Sequence, residues 1–216
     1  MRNRRTALLA TVLAGAASIW GVSATAVAAP AAAGEVLTYD ATGAGVPVGA
    51  KLTASLAAGT TAKLTTTAGG STGVTCSGSA IEATVATNPP APGTATENNV
   101  KQTFNAATCT SNIPLTTGVA SITVTPLLTT AVSSGGALVV NGPITATAVL
   151  KSPFGNVTCV YSAPSISGTT NNADDSINFT NQQFTKQSGS STCPANSFFT
   201  AKYAPVTGPG GAVSVN

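Results

Sequence analysis

The tripeptide Val-Thr-Cys occurs twice, at residues 74–76 and 157–159, and dominates any interpretation of this chain. Each of these cysteines is followed by another about 34 residues later, so related segments recur at a spacing of about 84 residues. Such recurrence indicates an internal duplication. It predicts two related β units, residues 29–128 and 129–216, behind an N-terminal leader. The cysteines concerned are Cys76, Cys109, Cys159 and Cys193.

These cysteines are expected to form two disulfides, because their number is even and the leader directs the chain to an oxidising compartment. A zinc or redox site is not expected, since the sequence has neither histidine nor a C-x-x-C motif. The duplication favours Cys76–Cys109 with Cys159–Cys193. The crossed pairing, Cys76–Cys159 with Cys109–Cys193, differs by less than about 1 kcal/mol per loop in closure entropy, so energy alone does not choose.

Residues 1–28 have the pattern of a cleaved export signal. Three arginines precede an apolar run from Ala7 to Val22, and Ala26-Val27-Ala28 forms a small-x-small cleavage site. The run is short for a membrane span, and no basic stop-transfer cluster follows it. We therefore expect a secreted or cell-surface protein with no membrane span after cleavage. The pair Arg4-Arg5 is compatible with the twin-arginine route, and a Sec signal is the alternative.

Alternation of apolar and polar residues with a period of two recurs along the rest of the chain. In residues 144–150, Ile, Ala, Ala and Leu alternate with threonine and valine, and residues 51–56 behave similarly. Turn-forming segments such as Ser133-Ser134-Gly135-Gly136 separate these runs. The pattern predicts an all-β protein of duplicated immunoglobulin-like β-sandwich units. Two tandem sandwiches and one pseudo-symmetric sandwich remain alternatives.

Charge argues against a nucleic-acid partner. Every arginine lies in the leader, and the remaining chain has six lysines against six acidic residues. A neutral chain without arginine lacks the basic surface that binds phosphates. The same argument counts against an anionic membrane surface. The expected partner is an unidentified extracellular or cell-wall component.

Catalytic residues are scarce, because no histidine is present to act as a general base or metal ligand. Glu82 and Glu97 form a candidate carboxylate pair of the kind used by glycosidases, although solvated surface charges explain them more simply. Asp174 and Asp175 lie in an Asn/Asp-rich segment and are weak candidates for a calcium site, with an ordinary turn as the alternative. We expect no catalytic residue, no cofactor and no resident metal.

The adjacent residues Phe198 and Phe199 must point to opposite faces of a strand. One of them is therefore expected to be exposed or to pack against the other unit. An exposed phenylalanine would mark a contact surface.

Four segments carry a resemblance to a known family. They read A-A-G-E-V-L-T, N-P-P-A-P-G-T-A-T-E, I-N-F-T-N-Q-Q-F-T-K and F-F-T-A-K-Y-A-P-V-T-G-P-G-G-A-V. Together they resemble a family of small exported actinobacterial proteins that are labelled only by a twin-arginine-type signal. The likeness extends over essentially the whole chain and implies an extracytoplasmic location. It implies no activity and no site residues.

These observations predict a non-enzymatic secreted or cell-surface β module with a binding or structural role. A secreted hydrolase or inhibitor-like effector that uses Glu82, Glu97 or the pair Asp174-Asp175 is the alternative. A β-hairpin pore built on residues 127–150 is a weaker possibility, because that segment has no aromatic girdle.

Overall fold

The computed structural model describes residues 34–216 of the chain. The predicted export signal, residues 1–28, lies outside the described residues. Fifteen strands and one 3₁₀ helix, Ala106–Thr108, are present in the described part. In chain order the strands are β1 Leu37–Tyr39, β2 Lys51–Ser55, β3 Ala62–Thr65, β4 Gly73–Cys76, β5 Ser79–Thr87, β6 Thr94–Phe104, β7 Cys109–Ser111, β8 Gly118–Val124, β9 Leu128–Ser133, β10 Ala137–Lys151, β11 Val157–Asn171, β12 Ser176–Gly189, β13 Asn196–Tyr203, β14 Thr207–Gly208 and β15 Gly211–Val215.

The predicted all-β class is confirmed, and the period-two pattern explains why. In β2, Leu52 and Ala54 are buried while the residues on either side of each are exposed. In β13, buried residues alternate with half-buried ones along the whole strand. One face of each of these two strands therefore packs into the interior, and the other face is more exposed.

The strands form one curled antiparallel sheet in the order β1-β15-β14-β2-β5-β6-β9-β10-β11-β12-β13-β3-β4-β7, and β8 pairs with β10 beside this path. The curl brings the end of β2 against the end of β13. There Leu56 forms a bridge with Tyr203, and Ala204 N donates a 3.0 Å hydrogen bond to Ser55 O. The inner faces of the strands thereby surround a common interior.

The predicted pair of immunoglobulin-like sandwiches is not seen in residues 34–216. Blocks of strands from residues 29–128 and from residues 129–216 are interleaved within the one sheet, because β6 pairs with β9, β14 with β2 and β13 with β3. The alternation of short strands is common to sandwiches and curled sheets, so the sequence pattern could not separate them.

Two disulfides join Cys76 to Cys109 and Cys159 to Cys193, which is the pairing that the duplication favoured. Cys76 and Cys109 stand directly opposite each other on β4 and β7, with Cα atoms 4.0 Å apart. This bridge fastens the β7 edge of the sheet. Cys159 of β11 is joined to Cys193, which precedes β13, with Cα atoms 5.7 Å apart.

The side chain of Asn88 holds the loop between β5 and β6 against two other backbone segments. Asn88 Oδ1 accepts a 2.8 Å bond from Leu37 N, while Nδ2 donates to Leu37 O at 2.8 Å and Val46 O at 3.0 Å. One amide thus completes the hydrogen bonds of two neighbouring backbone segments.

Within residues 34–216 no helix is long and apolar enough to cross a membrane.

Candidate functional site

The interior of the curled sheet contains a cavity of about 120 Å³. Its wall consists mainly of aliphatic and aromatic side chains from the inner faces of the strands, among them Leu52, Ile81, Val100, Val132, Ile144 and Phe179. An engineered apolar cavity of about 150 Å³ in another protein stays dry and binds benzene. A cavity of this size and lining can therefore hold a small apolar molecule.

A carboxyl group interrupts the apolar wall. Glu97 lies within the register row Val85–Glu97–Thr130–Val140–Ile166, whose members stand directly opposite one another on β5, β6, β9, β10 and β11. All five side chains are buried, and Glu97 is only 4% exposed. The row therefore places one acidic side chain and one hydroxyl among branched apolar neighbours.

A β-bulge at Asn98-Asn99 determines which residues of β6 face inward. The pairing with β9 shifts between Glu97 and Val100, and Asn99 adopts a positive φ of 53°. Because the bulge takes up an extra residue, the inward positions change from Glu97 to Val100 and Gln102. Asparagine tolerates this left-handed conformation better than most residues.

The environment of Glu97 favours its protonated form. Thr130 Oγ1 donates a hydrogen bond to Glu97 Oε2, and no other hydrogen bond or ion pair to this carboxyl is found within residues 34–216. Burial raises the pKa of Glu97, and the hydrogen bond from Thr130 only partly opposes that rise. Glu97 was predicted to be a solvated surface charge, and that interpretation is wrong, because Glu97 shares the buried face of β6 with Ala95, two residues before it.

A second polar group is buried nearby and is fully satisfied. Tyr203 is 0% exposed, and its hydroxyl lies 2.8 Å from Ser79 Oγ and accepts a 2.7 Å bond from Gln102 Nε2. Burial raises the pKa of Tyr203, and the two hydrogen bonds counteract part of this effect. This cluster stabilises the closure of the sheet. Two acids of the cavity wall keep unused hydrogen-bonding capacity: Glu97, and Asp175, whose buried Oδ1 has no hydrogen-bond partner within residues 34–216.

The structure does not bring Glu82 and Glu97 together. Glu82 stands opposite Thr53 and Lys101 in a row of exposed side chains, whereas Glu97 faces the interior. Two carboxyl groups on opposite faces of a sheet cannot act on the same glycosidic bond. The alternative of a glycosidase-like hydrolase receives no support from this geometry.

Asp174 and Asp175 lie in the turn between β11 and β12, and their side chains have different surroundings. Asp174 forms an ion pair with Lys202 and accepts a 2.7 Å hydrogen bond from Ser176 Oγ; these contacts lower its pKa. The pKa of Asp175 is raised by burial and by the neighbouring carboxyl of Asp40. No group of three or more potential ligands for a metal ion is found in residues 34–216.

The aromatic residues mostly fill the interior. Phe199 is 3% exposed and lies 5.7 Å from Phe179 between ring centroids, while Phe198 is half-buried on the other face of β13. The most exposed large apolar side chain described is Phe154, at 89%, in the turn between β10 and β11. Sequence analysis did not single out Phe154, although its Ser-Pro-Phe-Gly context indicates a turn.

No family model matches the chain, and searches of curated proteins and of solved structures find no significant match.

Proposed function

We propose that this chain is an exported, non-enzymatic binding protein that holds a small apolar molecule inside the curled sheet. The cavity of about 120 Å³ is the observation that carries this proposal. Well-packed interiors contain few voids larger than a water molecule, so a cavity with an apolar lining is a default candidate for a ligand site.

Export is proposed from the leader pattern of residues 1–28 and is supported by the two disulfides, which form and persist in oxidising compartments. The intact mass of protein recovered from culture supernatant tests it. We expect a chain that begins near Ala29. A supernatant species that retains Arg4-Arg5 contradicts signal cleavage.

A structural role alone would not need space in the interior. Filling such a cavity with a larger apolar side chain stabilises a protein when the new atoms fit, so an unfilled one costs stability. A binding role accounts for that cost, because an apolar ligand replaces the missing contacts when it enters.

The test uses toluene, whose ring is the size of the molecule that such cavities accept. We expect saturating toluene to raise the melting temperature of the protein and to shift the NMR signals of Ile144 and Val132. Binding to the folded state alone stabilises it through mass action.

Ala146 and Thr147 provide a matched pair of variants. Ala146 lines the cavity, and Thr147 is its neighbour on the opposite face of β10. Ala146→Leu should abolish the shift caused by toluene, and Thr147→Leu should leave it intact. Equal toluene responses of both variants and the original protein, or no response in any of them, would overturn the interior site.

A further inference from the structure

We propose that the cavity selects a small primary amine with one apolar group, and that the amine binds the carboxyl group of Glu97. This inference rests on the binding role proposed above and names the chemical class of ligand for the same site. Four features of the structure lead to it: the spare capacity of the carboxyl, its mainly apolar surroundings, the bulge that follows it in β6 and the size of the cavity.

The carboxyl of Glu97 has unused hydrogen-bonding capacity. A carboxylate offers about four acceptor positions on its two oxygens. Thr130 Oγ1 occupies one of them, on Oε2, and no further hydrogen bond to Glu97 occurs among residues 34–216. The other oxygen, Oε1, is therefore available to a donor that enters the cavity.

No cationic side chain neutralises this carboxyl. The ion pair of the described residues joins Lys202 to Asp174, away from Glu97. The strand neighbours of Glu97 are Val85 on β5 and Thr130 on β9, with Val140 beyond Thr130. A glutamate is rarely this deeply buried unless it is paired, and an unpaired one costs folding free energy.

Unpaired buried acids of this kind concentrate at functional sites. A side chain that served packing alone would be apolar, like Val85, Val140 and Ile166 in the same row. The bulge at Asn98-Asn99 strengthens the argument, because bulges beside binding sites redirect a side chain toward the ligand. Here Glu97 is the last inward residue before the bulge, and Val100 is the first inward residue after it.

The complement of such a carboxyl is a compact group of donors with positive charge. A primary ammonium donates hydrogen bonds and pairs with a carboxylate, and a charge-assisted bond is roughly twice as strong as a neutral one. The attraction is further increased by the low dielectric constant of the apolar surroundings. Most of the remaining wall is apolar, with side chains such as Leu52, Ile144 and Phe179, so the rest of the ligand is expected to be mainly hydrocarbon.

The volume restricts the size of the ligand. The cavity of about 120 Å³ is close to that which binds benzene in an engineered protein, at about 150 Å³. Benzylamine and short alkylamines match both the volume and the single polar end. Benzoate has the same size as benzylamine and the wrong charge, and toluene has the same ring with no polar end.

The experiment measures the binding of benzylamine, toluene and benzoate to the purified chain with both disulfides formed, by calorimetry and NMR. We expect benzylamine to bind at least about tenfold more tightly than toluene, the scale of one charge-assisted hydrogen bond. Benzoate should bind more weakly than benzylamine, because its carboxylate finds no cationic partner in the cavity wall that residues 34–216 form, whereas the ammonium of benzylamine stabilises the ionised form of Glu97.

The variant Glu97→Gln keeps the size of the side chain and an oxygen that Thr130 can bond, so it should fold. It should lose the preference for benzylamine and keep the affinity for toluene. Glu35→Gln, which makes the same exchange at a half-buried glutamate that does not line the cavity, should leave all three affinities unchanged.

The outcomes separate the two proposals. Equal affinity for benzylamine and toluene overturns the selection of amines and leaves the apolar binding site in place. Absence of binding by every compound overturns both. If Glu97→Gln does not fold, the three-ligand comparison on the original chain still decides, because a preference for toluene or benzoate over benzylamine refutes the inference.

Discussion

The hydroxyl of Tyr203 lies 2.8 Å from Ser79 Oγ, which joins the last residue of β13 to the first residue of β5. Leu56, close to Ser79 in the fold, forms a backbone bridge with the same tyrosine. Gln102 Nε2 donates to the hydroxyl from β6. Tyr203 thus links by side chain and backbone the two parts of the sheet that its curl brings together.

Removing this hydroxyl should weaken the closure. Tyr203→Phe leaves Gln102 Nε2 without this partner, while Ser79 Oγ keeps its 2.8 Å bond to Thr103 O, so we expect the free energy of unfolding to fall by about 1–3 kcal/mol. Urea denaturation measures the change. Tyr39→Phe is the control, because the Tyr39 hydroxyl makes no hydrogen bond within residues 34–216 and its removal should have little effect. Equal stability of the two variants would refute a structural role for the Tyr203 hydroxyl.

The stability of the protein should depend on pH through Glu97. Its folded-state pKa lies above the ordinary 4.5, so the native state binds this proton more tightly than the unfolded chain does. The resulting stabilisation is complete below the ordinary pKa and is lost as pH rises through the raised one.

Glu97→Gln should remove this loss, so the difference in unfolding free energy between variant and original protein should grow in favour of the variant as pH rises. Chemical denaturation at a series of pH values measures it. Asp175 also has a raised pKa, but it is present in both proteins and cancels in the difference. Parallel pH profiles for the two proteins would contradict the buried acid.

The ion pair of Asp174 with Lys202 should have the opposite pH dependence. Its partners lower the pKa of Asp174, so any stabilisation is present above the ordinary carboxyl pKa and is lost as pH falls through the lowered one. NMR titration should show the low pKa, and Lys202→Gln or added salt should move it upward. Because the pair is partly exposed, we expect only a small effect of Asp174→Asn on stability.

The two disulfides should be recovered as separate cross-linked peptides. Digestion without reduction should yield Cys76 joined to Cys109 and Cys159 joined to Cys193. Replacing Cys76 and Cys109 by alanine together should lower stability by about 2–5 kcal/mol, the range for a native disulfide of a small secreted domain. A peptide that links Cys76 to Cys159 would contradict the pairing.

The strand content and the disulfide pairing could be predicted because each is indicated by a recognisable pattern in the sequence. The alternation around Leu52 reports a half-buried strand, and the repeated Val-Thr-Cys motif relates Cys76–Cys109 to Cys159–Cys193. Pairings between strands that are far apart in the sequence produce no such pattern. Nothing in the sequence around Thr53 indicates Thr207 as its neighbour in the sheet, so two sandwiches were expected where one curled sheet occurs.

The cavity and its acid could not be predicted for a related reason. Counting every second residue from Leu52 or Ala54 identifies the inner face of β2, but the same count on β6 fails at Asn98-Asn99. A signal was present in the paired asparagines, which are unusual inside a strand and tolerate a positive φ. With the bulge placed there, Glu97 falls on the inner face.

The extra residue at Asn99 also affects how such a protein can change during evolution. Because side chains alternate between the two faces, deleting one residue from β6 would exchange the faces of all positions on one side of the deletion. If the residues after the deletion shift, Val100 and Gln102 would exchange faces with their neighbours and Glu97 would keep its orientation. If the residues before it shift, Glu97 would change face, and Val100 and Gln102 would keep theirs. The gain or loss of a single residue could therefore change about half of the side chains that β6 contributes to the cavity wall in one step, whereas substitutions would change them one at a time.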